Sequence, residues 1–139
     1  MTVFTEGNLQ ITFPSGVAAK KFDHSGHGLT HCMKAVDLIV ELIDRYLFIE
    51  FKDTEHPDSR KKDRKKFVEQ FLSGKIDEDF KYKYRDSFLY EWASGKTSKP
   101  VYYYVLVAID TYIAGHYNME LALARLLLCA GCHRYPNRG

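Results

Sequence analysis

Asp37, Glu50 and Lys52 are the residues of this chain whose types and spacing best suit a chemical site. They lie on two β-rich runs, "VDLIVELI" (36–43) and "YLFIEFKD" (46–53), parted by Asp44 and Arg45, the short polar break expected of a hairpin. Side chains alternate along a strand. Phe48, Glu50 and Lys52 therefore share one face and Ile49 and Phe51 the other; on the first run Asp37, Ile39, Glu41 and Ile43 oppose Leu38, Val40 and Leu42. A two-residue loop pairs Ile43 with Tyr46, Ile39 with Glu50 and Asp37 with Lys52, so that the three charges converge. A four-residue loop shifts these partners but keeps the faces matched, whereas a three-residue loop sends Asp37 to the far side.

Two carboxylates held close together repel, and a hard divalent cation with oxygen ligands relieves the repulsion. Asp37 and Glu50 are accordingly the expected ligands of Mg²⁺, with Mn²⁺ as a substitute. Lys52 beside them suits the orientation of an attacking water, or the steadying of negative charge developing on a phosphate. That is the chemistry of metal-assisted phosphodiester hydrolysis. The plainer reading is a cross-strand ion pair between Asp37 and Lys52, worth roughly 0–1 kcal/mol if exposed. The strands are otherwise apolar on both faces, which favours a built site over a surface pair.

"VD" at 36–37, a short strand and turn, and then "FIEFKD" with its Glu-x-Lys element resemble the PD-(D/E)xK, or restriction-endonuclease-like, nuclease superfamily. The resemblance implies an α/β fold with a restriction-endonuclease-like core, a mixed β-sheet flanked by helices. It also implies metal binding by Asp37 and Glu50, catalysis assisted by Lys52, and a nucleic-acid substrate, DNA before RNA. A helix after the Glu-x-Lys strand and then a further strand belong to the same pattern, and here the basic segment and "YYYVLVAID" take those places. Val36 stands where the motif has proline. Some members of the superfamily are inactive and only bind or scaffold, so a nucleic-acid-binding or protein-interaction module is the alternative expectation.

The 139 residues, 45% hydrophobic and 14% aromatic, suffice for one domain with a sizeable core, spanning 1–139. The net charge of +2 is unevenly spread: "RKKDRKK" (60–66) alone carries +5, leaving −3 on the rest. Arg60, Lys61, Lys62, Arg64, Lys65 and Lys66 form the expected footprint for nucleic-acid phosphates, joined by Lys83 in "KYKYR" with its interleaved tyrosines; a solvated helix face is the plainer reading. Asp23, Glu41, Gln70 and Lys83 are further candidates to supplement the site. Cleaving both strands of a duplex takes two sites, so a homodimer or partner subunit is compatible with the reading. No run approaches the roughly 18 apolar residues of a membrane span, and "MTVFTEGNLQ" lacks a signal core, which predicts a cytoplasmic protein without a membrane partner.

Around the hairpin, "LQITF" predicts a short strand closed by Pro14 and Gly16, followed by a short helix near 16–22. The basic block opens a helix ended by Gly74. A second helix follows, with Phe80, Tyr84, Phe88 and Trp92 as its core stripe and Leu89 widening it. "VYYYVLVAID" (101–110) predicts a central strand buried on both faces, and Asn118 caps a last helix through "MELALARLLLCAG". Cys32, Cys129 and Cys132 are expected as reduced thiols. "CAGCH" has the spacing of c-type haem attachment, but that chemistry belongs outside the cytosol, and thiols packed as small hydrophobes are the preferred reading. His24, His27, His31 and Cys32, together with Cys129, Cys132 and His133, would make a structural zinc site only if the two segments met.

Overall fold

The computed structural model describes residues 1–23, 28, 31–54 and 61–108. Six strands and two helices follow in the order β1 (Thr2–Glu6), β2 (Leu9–Phe13), β3 (Ala18–Lys21), β4 (Leu38–Glu41), β5 (Tyr46–Asp53), α1 (Lys61–Ser73), α2 (Lys75–Ala93) and β6 (Val101–Ala108). Strands β3, β4, β5 and β6 form one sheet in that order, antiparallel except for the parallel β5–β6 pair. The fold is mixed α/β with a mixed sheet. The helix expected from Asn118 and residues His24, His27, Arg60, Cys129, Cys132 and His133 lie outside the described residues.

Alternation sorts the sheet's side chains onto two faces. Leu38, Val40, Ile49 and Phe51 pack with Phe13 beneath the β1–β2 hairpin, while Ile39, Tyr46 and Phe48 pack with Phe22, Val36 and the inner side of α2. Val68 and Phe71 of α1 join Ile76 and Phe80 of α2 over Tyr103 and Val105 of β6. Both described helices thus cover one face, and among the described residues a two-stranded hairpin covers the other.

Three expectations are corrected. Residues 18–21 form strand β3, not a short helix, because Lys20 and Lys21 alternate between the two faces and pair with Ile39 and Leu38. Strand β1 pairs with β2 across Gly7-Asn8, a two-residue hairpin signal: Gly7 has φ 57°, and Glu6 faces Leu9 across it. On α2 the buried face runs through Ile76, Phe80, Ser87 and Glu91, leaving Leu89 and Trp92 59% and 62% exposed. A repeat of four drifts around a helix of 3.6 residues per turn, and the stripe leaves the core by its last members. Strand β6 is the last strand of the sheet among the described residues, with Tyr104 and Leu106 exposed on the face opposite the helices. Its unbroken apolar run reflects one packed face and one tyrosine-bearing face that tolerates water.

The β4–β5 register also differs from the two-residue loop. Glu41 pairs with Tyr46 and Leu38 with Ile49, so the turn spans Leu42–Arg45 and is closed by the Leu42 N–H donating to the Arg45 carbonyl at 2.9 Å. The tight alternative needs positive φ at both central residues, which Asp44 and Arg45 do not favour. The four-residue loop keeps the faces, and extending its register by one residue sets Asp37 across from Glu50 rather than Lys52.

The segment carrying Asp37 is held to α2 by one buried contact. Ser87 Oγ accepts the Val36 N–H at 3.0 Å, and both residues are fully buried. Replacing Ser87 by Ala strands that N–H and should lower stability by about 1–3 kcal/mol in urea unfolding. Ser94→Ala at the exposed end of α2 should stay within about 0.5 kcal/mol.

Candidate active site

Glu50 is the centre of the site, and its side chain is entirely buried. It sits on the helix-facing side of β5, between Phe48 and Lys52. One carboxylate oxygen, Oε1, accepts from Lys83 Nζ at 2.5 Å and pairs with Lys52 Nζ at 3.0 Å. The other, Oε2, is buried without a hydrogen-bond partner. Asp37 completes the group: Oδ2 accepts the Phe51 N–H at 2.6 Å, clamping the carboxylate to β5, and Oδ1 lies 3.8 Å from Lys83 Nζ. The ammonium of Lys83 therefore stands between the two carboxylates.

All four charged side chains are among those singled out from the sequence, and the hairpin brings Asp37, Glu50 and Lys52 onto one face. Lys83 arrives from α2 and belongs to the carboxylate pair rather than to an exposed basic patch, its side chain being only 18% exposed. Its signal was present in position: Lys83, Ser87 and Glu91 recur every four residues on the buried face of α2, and each contacts a different segment. Ser87 holds Val36, and Glu91, 2% exposed, takes Lys20 of β3 at 2.7 Å. Asp23 lies close enough to feel Asp37 and Lys83, whereas Glu41 pairs with Lys99 at 2.6 Å, outside the site. Gln70 uses its carbonyl to accept from Ser73 on α1.

Burial raises the Glu50 carboxyl above its ordinary range, while Lys83 and Lys52 pull it down and Asp37 pushes it up again. Burial raises the Asp23 carboxyl as well, with the Asp37 charge adding to the effect. Tyr103, one strand over on the same face, has a buried hydroxyl without a partner; burial and the charges of Glu50 and Asp37 push its phenol far up.

A cleft of about 170 Å³ opens beside Lys52, lined by Lys52, Asp53, Thr54, Asp63, Arg64 and Phe67. It lies between the end of β5 and the start of α1, so Lys52 and the basic helix border one cleft. Lys61, Lys62, Lys65 and Lys66 are exposed along α1, with Arg64 half-buried at the cleft. Of the suggested zinc ligands, His31 and Cys32 are exposed. Among the described residues no group of three or more His, Cys, Asp and Glu is placed to hold a metal, and no helix is long and apolar enough to cross a membrane.

No protein-family model, curated protein or solved structure matches this chain. The site is thus described by its own geometry.

Burial lowers the Lys83 ammonium, but the Glu50 charge, its hydrogen bond and Asp37 outweigh that and hold it above the usual lysine value of 10.5. A lysine raised in the folded state contributes stability in full below its unfolded value and loses it as pH climbs through the folded one. The stability difference between wild type and Lys83→Met should stay level from about pH 9 to about pH 10.5 and shrink above it. Denaturant unfolding at a series of alkaline pH values measures this.

Proposed function

We propose that the chain is a divalent-metal-dependent nuclease that hydrolyses phosphodiester bonds of nucleic acid, DNA before RNA, through a restriction-endonuclease-like site. The observation that carries the reading is the buried Glu50 carboxylate facing Asp37 across the hairpin, with one oxygen unpartnered. Like charges opposed across two strands are costly, and an orphaned carboxylate oxygen adds to that cost; neither is retained by packing alone. The order of hairpin, helices and a strand returning parallel to β5 accords with the superfamily pattern.

The donor set suits Mg²⁺ or Mn²⁺. Asp37 Oδ1 and Glu50 Oε2 are hard oxygens, and Mg²⁺ usually keeps several waters, so two carboxylates suffice without a third protein ligand. Bound there, the ion supplies a Lewis acid and an activated water. The Phe51 N–H fixes the Asp37 carboxylate in place. Lys52, 30% exposed at the cleft, is positioned to offset negative charge growing on a phosphate. The exposed lysines of α1 would gather the flanking phosphates, a contribution that weakens with salt.

Lys52→Ala and Asp37→Asn should each reduce Mg²⁺-dependent cleavage about 100-fold or more while leaving the circular-dichroism spectrum unchanged. Cleavage of single- and double-stranded DNA and RNA is followed on gels, and full activity in both variants would remove the proposal.

A second reading rests on the neutrality of the cluster, since Asp37 and Glu50 are already balanced by Lys52 and Lys83. In that case the domain binds nucleic acid through α1 without cutting it. Replacing Lys61, Lys62, Lys65 and Lys66 by Glu would then abolish a salt-dependent gel shift, and no metal would give cleavage.

A further inference from the structure

We propose that Lys83 is a built-in counter-ion of the Asp37–Glu50 pair, and that a divalent cation enters the site only by exchanging with its ammonium. This rests on the metal-site reading above and deepens it.

The geometry points there directly. Lys83 Nζ is 2.5 Å from Glu50 Oε1 and 3.8 Å from Asp37 Oδ1, which places a positive charge between the two carboxylates where a metal ion would relieve their repulsion. Among the described residues Lys52 forms its ion pair with Glu50, at 3.0 Å, and its greater exposure leaves it facing the cleft. The two lysines therefore differ in role: one fills the gap between the acids and the other borders it.

Charge balance makes the exchange necessary. Asp37, Glu50, Lys52 and Lys83 sum to zero around a buried carboxylate. Adding a divalent ion with both ammonium groups in place leaves two uncompensated positive charges there, a burial that proteins avoid. Withdrawing Lys83 reduces the excess to one, with Asp23 close enough to offset part of it. Lys83 has a long flexible stem and is not sealed in, its side chain being 18% exposed. Tyr103 OH and Glu50 Oε2, both buried and unpartnered, mark polar groups at the same face that the lysine does not satisfy.

The consequence is a metal affinity set by competition. A site free of its ammonium in about one molecule in ten binds metal about tenfold more weakly than the same site without the lysine. The device also spares the metal-free protein two facing bare carboxylates.

The test is a Mn²⁺ titration read by the electron paramagnetic resonance of the free ion, on wild type, Lys83→Met, Lys83→Gln and Asp37→Asn. Both Lys83 variants should bind Mn²⁺ about tenfold or more tighter than wild type, and Asp37→Asn should bind it more weakly. If the Lys83 variants bind no tighter while Asp37→Asn still weakens binding, the exchange is overturned and the metal site stands. If neither wild type nor any variant binds Mn²⁺, the metal site falls and the exchange with it. A measurement on the wild-type chain guards against poor folding of the variants. In ¹⁵N-lysine spectra the Lys83 ammonium signal should shift as Mg²⁺ saturates the Asp37 and Glu50 carboxyl signals; an unmoved Lys83 signal at saturation overturns the exchange.

Discussion

A fully buried carboxylate in the middle of a sheet face is the constraint on which the other features depend. Glu50 lies on a strand whose other buried side chains on that face, Tyr46 and Phe48, are aromatic, so its charge must be answered inside the fold. Lys52 answers it from two residues along β5 and Lys83 from across the layer. The second answer fixes the rotation of α2 against the sheet, because the lysine can reach Glu50 from only one side of its helix. Ser87 and Glu91 then fall in line, one accepting from the Val36 N–H and the other holding Lys20 of β3. The helix is joined by polar contacts to three successive segments of the chain, while Phe80, Tyr84 and Phe88 supply the apolar contact.

The same constraint bears on Asp37. Its position follows from the four-residue turn and from two backbone anchors, the Val36 N–H on Ser87 and the Phe51 N–H on its own carboxylate. With the chain held at these points, the two acids face one another whether or not a ligand is present. Preorganisation of this kind is useful to a metal site and costly to an inert one. It is the reason an ion-pair cluster of this form invites a chemical interpretation even though its charges cancel.

Much of this was legible in the sequence where local chemistry decides the structure. Period-two alternation located the hairpin and put Asp37, Glu50 and Lys52 on one face, and Gly74, with φ 79°, ended α1 where a left-handed residue was needed. The exact partners were not legible, because turn length depends on the conformations open to Leu42–Arg45 rather than on hydrophobic pattern. Strand β3 is not legible because "AAKK" has helix-forming residues and becomes a strand only by pairing with β4. Lys83 reads locally as a candidate to supplement the site or as one of a basic cluster, and nothing nearby decides between the two. A lysine between two tyrosines carries no local sign that a buried acid awaits it 33 residues away. The Leu89 and Trp92 positions failed for the complementary reason: spacing marks a stripe, but only tertiary packing tells where it leaves the core.

The fourfold spacing of Lys83, Ser87 and Glu91 has an evolutionary consequence. Each residue added to or removed from a helix turns everything beyond it by about 100°. One insertion between Phe80 and Lys83 would swing all three polar contacts off the sheet together, so the inner half of α2 is constrained in its length as well as in these three residues. Its outer half, bearing Tyr82, Arg85, Leu89 and Trp92, is under no such discipline and is free to diverge. Distant kin of this chain would therefore share a ruler along α2, the fourfold interval of Lys83, Ser87 and Glu91, laid under an outer surface free to differ.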